Sequence, residues 1–110
     1  MLLVQELSLE LVAVVHRDVM PKARVGDPET ADQLNRALRS TPLNIAEGEG
    51  YGRSRRRAHH FKTALGSGRE VFMALRLLVA TDVVTTDEAG ASAALSDRVN
   101  KMLFGLIRKG

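Results

Sequence analysis

The sequence contains no cysteine and no tryptophan, and its ring-bearing aromatics are one tyrosine and three phenylalanines. Without a thiol there is no disulfide framework, no thiolate nucleophile and no cysteine-ligated metal, a pattern that fits a reducing cytoplasm. Proline is also scarce, with three residues, and no uninterrupted apolar run approaches the ~18 residues that a membrane-spanning helix needs. The N-terminus lacks the basic stretch that opens a secretory signal, so the expectation is a soluble cytoplasmic protein with no membrane partner. Its 110 residues suffice for one domain, residues 1–110, that buries a core without staples.

Charge is present but unevenly placed. Residues 51–62 hold Arg53, Arg55, Arg56, Arg57 and Lys62 and no acid; removing that +5 from the net +3 leaves −2 on the rest of the chain. A local basic cluster of this kind points to a polyanion. Arginine suits phosphate through its planar fork.

Apolar spacing reads as helix throughout. Between Leu2 and Met20, twelve positions are apolar, and Gln5, Glu6, Ser8 and Glu10 leave narrow gaps between them. The valines favour a strand, but no turn signal splits the run and it exceeds a usual strand length. A helix so apolar on all sides is expected to face the core on one side and a partner subunit on the other. Met20 to Gly26, with Pro21, reads as a short connection. Asp27-Pro28 opens the second helix, with aspartate as N-cap and proline in the first turn. Its stripe is Ala31, Leu34, Leu38, Thr41 and Ile45; Pro42 inside it predicts a kink that frees the Leu38 carbonyl.

Gly48, Gly50 and Gly52 are expected to end that helix in the left-handed conformation, and Ser54 to cap the next one, over about Arg55 to Ala80. There Ala58, Phe61, Leu65, Gly68, Phe72, Leu75 and Val79 alternate steps of three and four, a bundle seam. Gly66 and Gly68 inside it suggest that another backbone comes close. Thr85 and Glu88 form a capping box for a last helix to about Arg108, with an inward face of Ala91, Leu95, Val99, Met102 and Leu106. The fold class expected is all-α, an up-down-up-down antiparallel four-helix bundle.

One string of residues is less generic than the rest: Gln33-Leu34-Asn35-Arg36-Ala37, Ser40, Asn44-Ile45-Ala46-Glu47-Gly48, Arg53-Ser54, Phe61, Ala64, Gly66-Ser67 and Glu70. It resembles the motif of the 23S rRNA intervening-sequence protein family of bacterial four-helix bundle proteins, and the resemblance extends over nearly the whole chain. The family and the related accessory variability determinants of diversity-generating retroelements imply helical subunits in a homopentameric ring. The retroelement relatives imply binding of nucleic acid and of a reverse transcriptase. The chain departs from the family pattern at Asn35, where a second basic residue is common, and at Gly68.

Two constellations follow for an antiparallel pair of helices about the glycine corner. Arg36 is predicted to pair with Glu70 across the interface, helped by Gln33 or Ser67, as a structural register device. Glu47 is placed near the free N–H groups that open the next helix, and Asn44 at the Pro42 defect or the corner. These residues read as a structural polar motif.

No catalytic or metal chemistry is expected. His59 and His60 point about 100° apart on a helix, no Glu-x-x-His pair occurs, and neither a Walker-type phosphate loop nor a serine-histidine-acid set is present. No cofactor is implied. Two functional readings stand: a noncatalytic accessory protein that binds RNA or DNA through Arg53, Arg55, Arg56, Arg57 and Lys62, mainly at phosphate, or a protein-binding scaffold whose arginines meet acidic partners.

Overall fold

A computed structural model describes residues 2–109, which form five helices: α1 (Leu3–Asp18), α2 (Met20–Gly26), α3 (Pro28–Glu49), α4 (Arg55–Ala80) and α5 (Thr86–Lys109). There is no strand among the described residues. α3 packs along α4, α4 along α5, α5 along α1 and α1 along α3, a closed cycle braced by α2 against α1 and α3. None of these helices is long and apolar enough to cross a membrane.

Local chemistry sets most of the boundaries. The Asp27 side chain accepts from the Thr30 N–H at 3.1 Å and opens α3, with Pro28 in its first turn. Hydrogen bonding from Thr30, its side chain first and then this N–H, holds the Asp27 carboxyl below its ordinary range. Thr85 and Glu88 form the expected reciprocal box: Glu88 accepts from the Thr85 N–H at 2.8 Å and donates its own N–H to Thr85 Oγ at 3.1 Å. Glu88 also pairs with Lys22 of α2, and this contact, followed by the Thr85 N–H, lowers its carboxyl. α4 ends in paired bonds from the Val83 N–H to the Leu78 carbonyl, 2.9 Å, and from the Asp82 N–H to Val79, 3.0 Å. Asp82 takes the left-handed position of that motif with φ 61°.

Burial follows the expected stripe on α3, where Ala31, Leu34, Leu38, Thr41 and Ile45 are all interior. α4 buries Phe61, Ala64, Leu65, Gly68, Val71, Leu75 and Leu78, while Phe72 and Val79 lie at its margin. The core has two centres. One joins Leu11, Val15 and Val19 to Met20, Ala23, Leu34, Leu38, Leu75, Leu78 and Val84. The other gathers Val4, Leu7, Ile45, Phe61, Ala64, Leu65, Val99 and Leu103. Half-buried Leu95 packs against both.

Several expectations need correction. Met20 to Gly26 is a helix and not a connection: Pro21 sits in the first turn, where its missing N–H costs nothing, and Met20 and Ala23 are buried. α1 buries Gln5 and Ser8 along with its aliphatics, while Leu3 and Leu9 are about half exposed. On α5 the inward face is Ala89, Ser92, Ser96, Val99 and Leu103, and Ala91 is exposed. α3 runs on as one helix through Pro42, and Asn44 donates to the Ser40 carbonyl, not to the one at Leu38.

The glycines also act differently. No glycine among the described residues has a positive φ, and Gly50, the C-cap of α3, is right-handed at φ −68°. Gly48 instead admits the Phe61 ring, since a Cβ there would lie 2.5 Å from Phe61 Cε1. Gly68 receives the Asn100 side chain of α5, and Gly66 has nothing within 4 Å of its would-be Cβ. The close approaches are therefore made by side chains and not by a second backbone.

Candidate nucleic-acid interface

The corner between α3 and α4 is built from the inside outward. Phe61, 2% exposed, lies in the space that Gly48 leaves, and the Arg57 guanidinium covers its ring at 4.9 Å from the centroid. Arg57 also donates through Nη1 to the Tyr51 carbonyl at 3.4 Å, so it is half-buried and closes the turn from beneath. Ser54, in extended backbone, accepts from the Arg57 N–H at 3.2 Å and starts α4.

Above this base stand the exposed cations Arg53, Arg55, Arg56 and Lys62. Among the described residues the ion pairs are Arg17 with Asp18, Lys22 with Glu88 and Lys101 with Asp97, so none of the corner's cations is engaged in one. Arg55, Arg56 and Arg57 begin α4, where the aligned peptide dipoles already place positive potential. Helix stability does not account for them. The aromatic groups gather at the same place: Tyr51 stacks on His60 with centroids 5.8 Å apart and planes 5° from parallel. His59 meets His60 edge-on at 5.6 Å, and Arg56 lies 5.5 Å from the Tyr51 centroid.

A chain of polar contacts runs from the corner down the α3–α4 interface. Asn44 Nδ2 donates to the Ser40 carbonyl at 3.0 Å and to Ser40 Oγ at 3.1 Å, while Ser67 Oγ donates to Ser40 Oγ at 2.8 Å. With its amide nitrogen committed, Asn44 turns its oxygen to His60 Nδ1 at 3.2 Å, which fixes the nitrogen that carries hydrogen there. Asn44 with His60, Ser40 with Ser67 and Gly48 with Phe61 all pair a falling number on α3 with a rising one on α4, so the two helices are antiparallel.

The predicted polar motif is thus divided. Asn44 and Ser67 join the chain, with Ser40 as its hub. Gln33, Arg36 and Glu70 are exposed and line a separate cleft of about 430 Å³ with Thr30, Met73, Ala74 and Leu77. No ion pair joins Arg36 to Glu70 among the described residues; facing water, such a pair gains little to hold two long side chains. Glu47 is exposed and makes no side-chain bond to the start of α4, where Ser54 supplies the cap; the carboxylate that acts nearby is Glu49, which accepts from the Leu2 N–H at 2.9 Å. From the sequence, Tyr51, His59 and His60 are the only nearby groups able to stack on bases, but the hub at Ser40, the stack of Tyr51 on His60 and the bond from His60 to Asn44 are not foreseen there, although Ser40 and Asn44 stand at the i, i+4 spacing that lets helix side chains meet. Among the described residues, no three His, Asp or Glu side chains converge as a metal site would require.

The same arrangement of helices is found in a solved protein. The chain is 26% identical to a Bacteroides thetaiotaomicron protein of unknown function, from the S23 ribosomal protein family, and superposes on its crystal structure with a TM-score of 0.83. The match covers 96% of this chain and 98% of that one. No curated protein matches. The family of the 23S rRNA-intervening sequence protein matches residues 1–105, and the chain belongs to that family.

Proposed function

We propose that the chain is a noncatalytic, cytoplasmic accessory protein that binds nucleic acid, RNA above all, at the α3–α4 corner. The observation that carries this reading is the uncompensated cluster of Arg53, Arg55 and Arg56 around the start of α4, with no acidic partner among the described residues. Such cations stabilise the free protein little and are suited to phosphate oxygens. In this reading the subunit is a four-helix bundle, with α2 as an added brace, and several subunits form a homo-oligomeric ring, a pentamer by family likeness. Leu3, Leu9, Met73 and Phe104, each about half exposed or more, supply apolar surface for subunit contacts. A ring repeats the basic corner and raises avidity without new contacts at any one site. A protein partner, a reverse transcriptase among the retroelement-type candidates, adds to this assembly and does not replace the nucleic acid.

The test is binding of labelled single-stranded RNA, duplex RNA and duplex DNA across a salt series. The variant is Arg53→Ala with Arg55→Ala and Arg56→Ala; Arg57 stays, because it closes the turn over Phe61. Each lost phosphate contact flattens the log–log salt slope by about 0.9 for duplex DNA and about 0.7 for single strands. No binding by the native chain at low salt sinks the reading and leaves the protein-binding scaffold in its place.

A further inference from the structure

We propose that Tyr51 and His60, with Arg56 over the tyrosine ring, form a stacking site for unpaired nucleobases, so that the corner takes single-stranded nucleic acid in preference to duplex. This rests on the nucleic-acid reading above and narrows it to a substrate class.

Aromatic scarcity makes the placement informative. The chain has one tyrosine and no tryptophan, and that tyrosine stands beside the densest run of arginine in the sequence. Its ring lies parallel to His60 in the offset range that aromatic pairs favour. The core beneath is already closed by Phe61 and Arg57, so the outer pair is not needed to fill it. His60 is moreover anchored across the interface to Asn44 and Ser40 of α3, which are tied back to Ser67 further along its own helix. A ring held in this way loses little freedom when a base joins the stack.

Arg56 completes the arrangement. Its guanidinium is flat, has no carboxylate partner among the described residues and already rests against a π face. It suits both sides of a nucleotide, since it can lie on a base or turn to a phosphate. Arg53 and Arg55 flank the rings as further phosphate contacts. Aromatic faces beside a cationic track are how single strands are held without sequence readout. A duplex keeps its bases stacked on one another and offers this corner phosphates alone.

The single tyrosine is also the probe. With tryptophan absent, tyrosine emission comes from Tyr51 and reports on that ring. The full chain is titrated with oligoadenylate of about twelve nucleotides, within the span of small single-strand sites, with duplex RNA of equal length and with inorganic polyphosphate. The expected result is that all three bind and that oligoadenylate alone quenches the emission strongly. Tyr51→Leu then weakens oligoadenylate by about tenfold with its salt slope unchanged, and leaves duplex RNA unaffected. Tyr51→Phe, which keeps the ring, binds as the native chain does.

Oligoadenylate binding without quenching overturns the stacking site, as does a Tyr51→Leu variant that weakens duplex and single strand alike; either result leaves the phosphate reading intact. Failure of all three ligands to bind overturns both. Circular dichroism and gel filtration check the variants, and the quenching titration decides the question on the native chain even if Tyr51→Leu does not fold.

Discussion

Replacing Gly48 by alanine tests the central packing contact of the corner. In an ordinary helix interior this change stabilises by about 1 kcal/mol, because alanine has the better helix propensity. Here the new Cβ would lie 2.5 Å from Phe61 Cε1 and 2.7 Å from Cδ1. Carbon atoms rest at about 3.5–4.0 Å, so the ring edge must retreat by roughly 1 Å. Phe61 is 2% exposed and covered by Arg57, and the cleft that it borders with Leu106 and Ile107 offers only about 20 Å³. Overpacking of this kind costs about 1–3 kcal/mol, which exceeds the propensity gain and gives a net loss of about 1 kcal/mol or more. Gly66→Ala is the control, since nothing lies within 4 Å of its Cβ and it should gain up to about 1 kcal/mol. Urea unfolding followed by helical circular dichroism, at one protein concentration in case subunits associate, measures both. Phe61→Leu should remove most of the Gly48→Ala penalty when the two are combined, because they share one space. If Gly48→Ala stabilises as much as Gly66→Ala, or costs the same with Phe61→Leu present, the packing argument fails.

Three further outcomes are expected. Ser54→Ala removes the cap on the Arg57 N–H and should lower unfolding free energy by about 1 kcal/mol, whereas an unchanged urea midpoint would show that the cap contributes nothing. Asn44→Ala breaks the bond to His60 and both bonds to Ser40 and should cost about 1–2 kcal/mol; His60→Ala should then add little on top of it, and full additivity in a double-mutant cycle would refute the coupling. Glu88 has a lowered carboxyl in the fold through Lys22 and then the Thr85 N–H, so its contribution is complete above the ordinary carboxylate value and is lost as pH falls through the lower folded value. Glu88→Gln should therefore be less stable than the native chain at neutral pH and converge with it as the pH falls through that lowered value; a constant gap from neutral pH to acid would contradict this.

Those tests divide along the same line as the sequence reading. Boundaries written by short-range chemistry were legible: Asp27-Pro28 starts α3, Ser54 precedes α4, and Thr85 with Glu88 opens α5. So was the α3 stripe, where large apolar residues recur at clear intervals. The α5 face was not, because its first half is built mostly of small residues and size alone does not say which side is inward; Ser92 and Ser96 are fully buried while Ala91 is exposed. α2 was missed because Pro21 reads equally as a breaker and as a first-turn residue, and burial of Met20 and Ala23 decides between them. At the corner the cations were visible as a run of charge. The stack of Tyr51 on His60 was not, since it depends on how far the turn carries Tyr51 back over α4.

The two centres of burial bear on how the molecule breathes. Val4, Ile45, Phe61 and Leu103 belong to one, and Val15, Leu34, Leu75 and Val84 to the other, while half-buried Leu95 bridges them. Helices pass through both, but the side chains that resist opening are pooled separately, and cooperative unfolding units form around such pools. Amide hydrogens in the two halves of α4 should accordingly exchange with solvent at different rates. A ligand seated on the corner would slow the half that contains Phe61 and leave the half that contains Leu75 at its own pace.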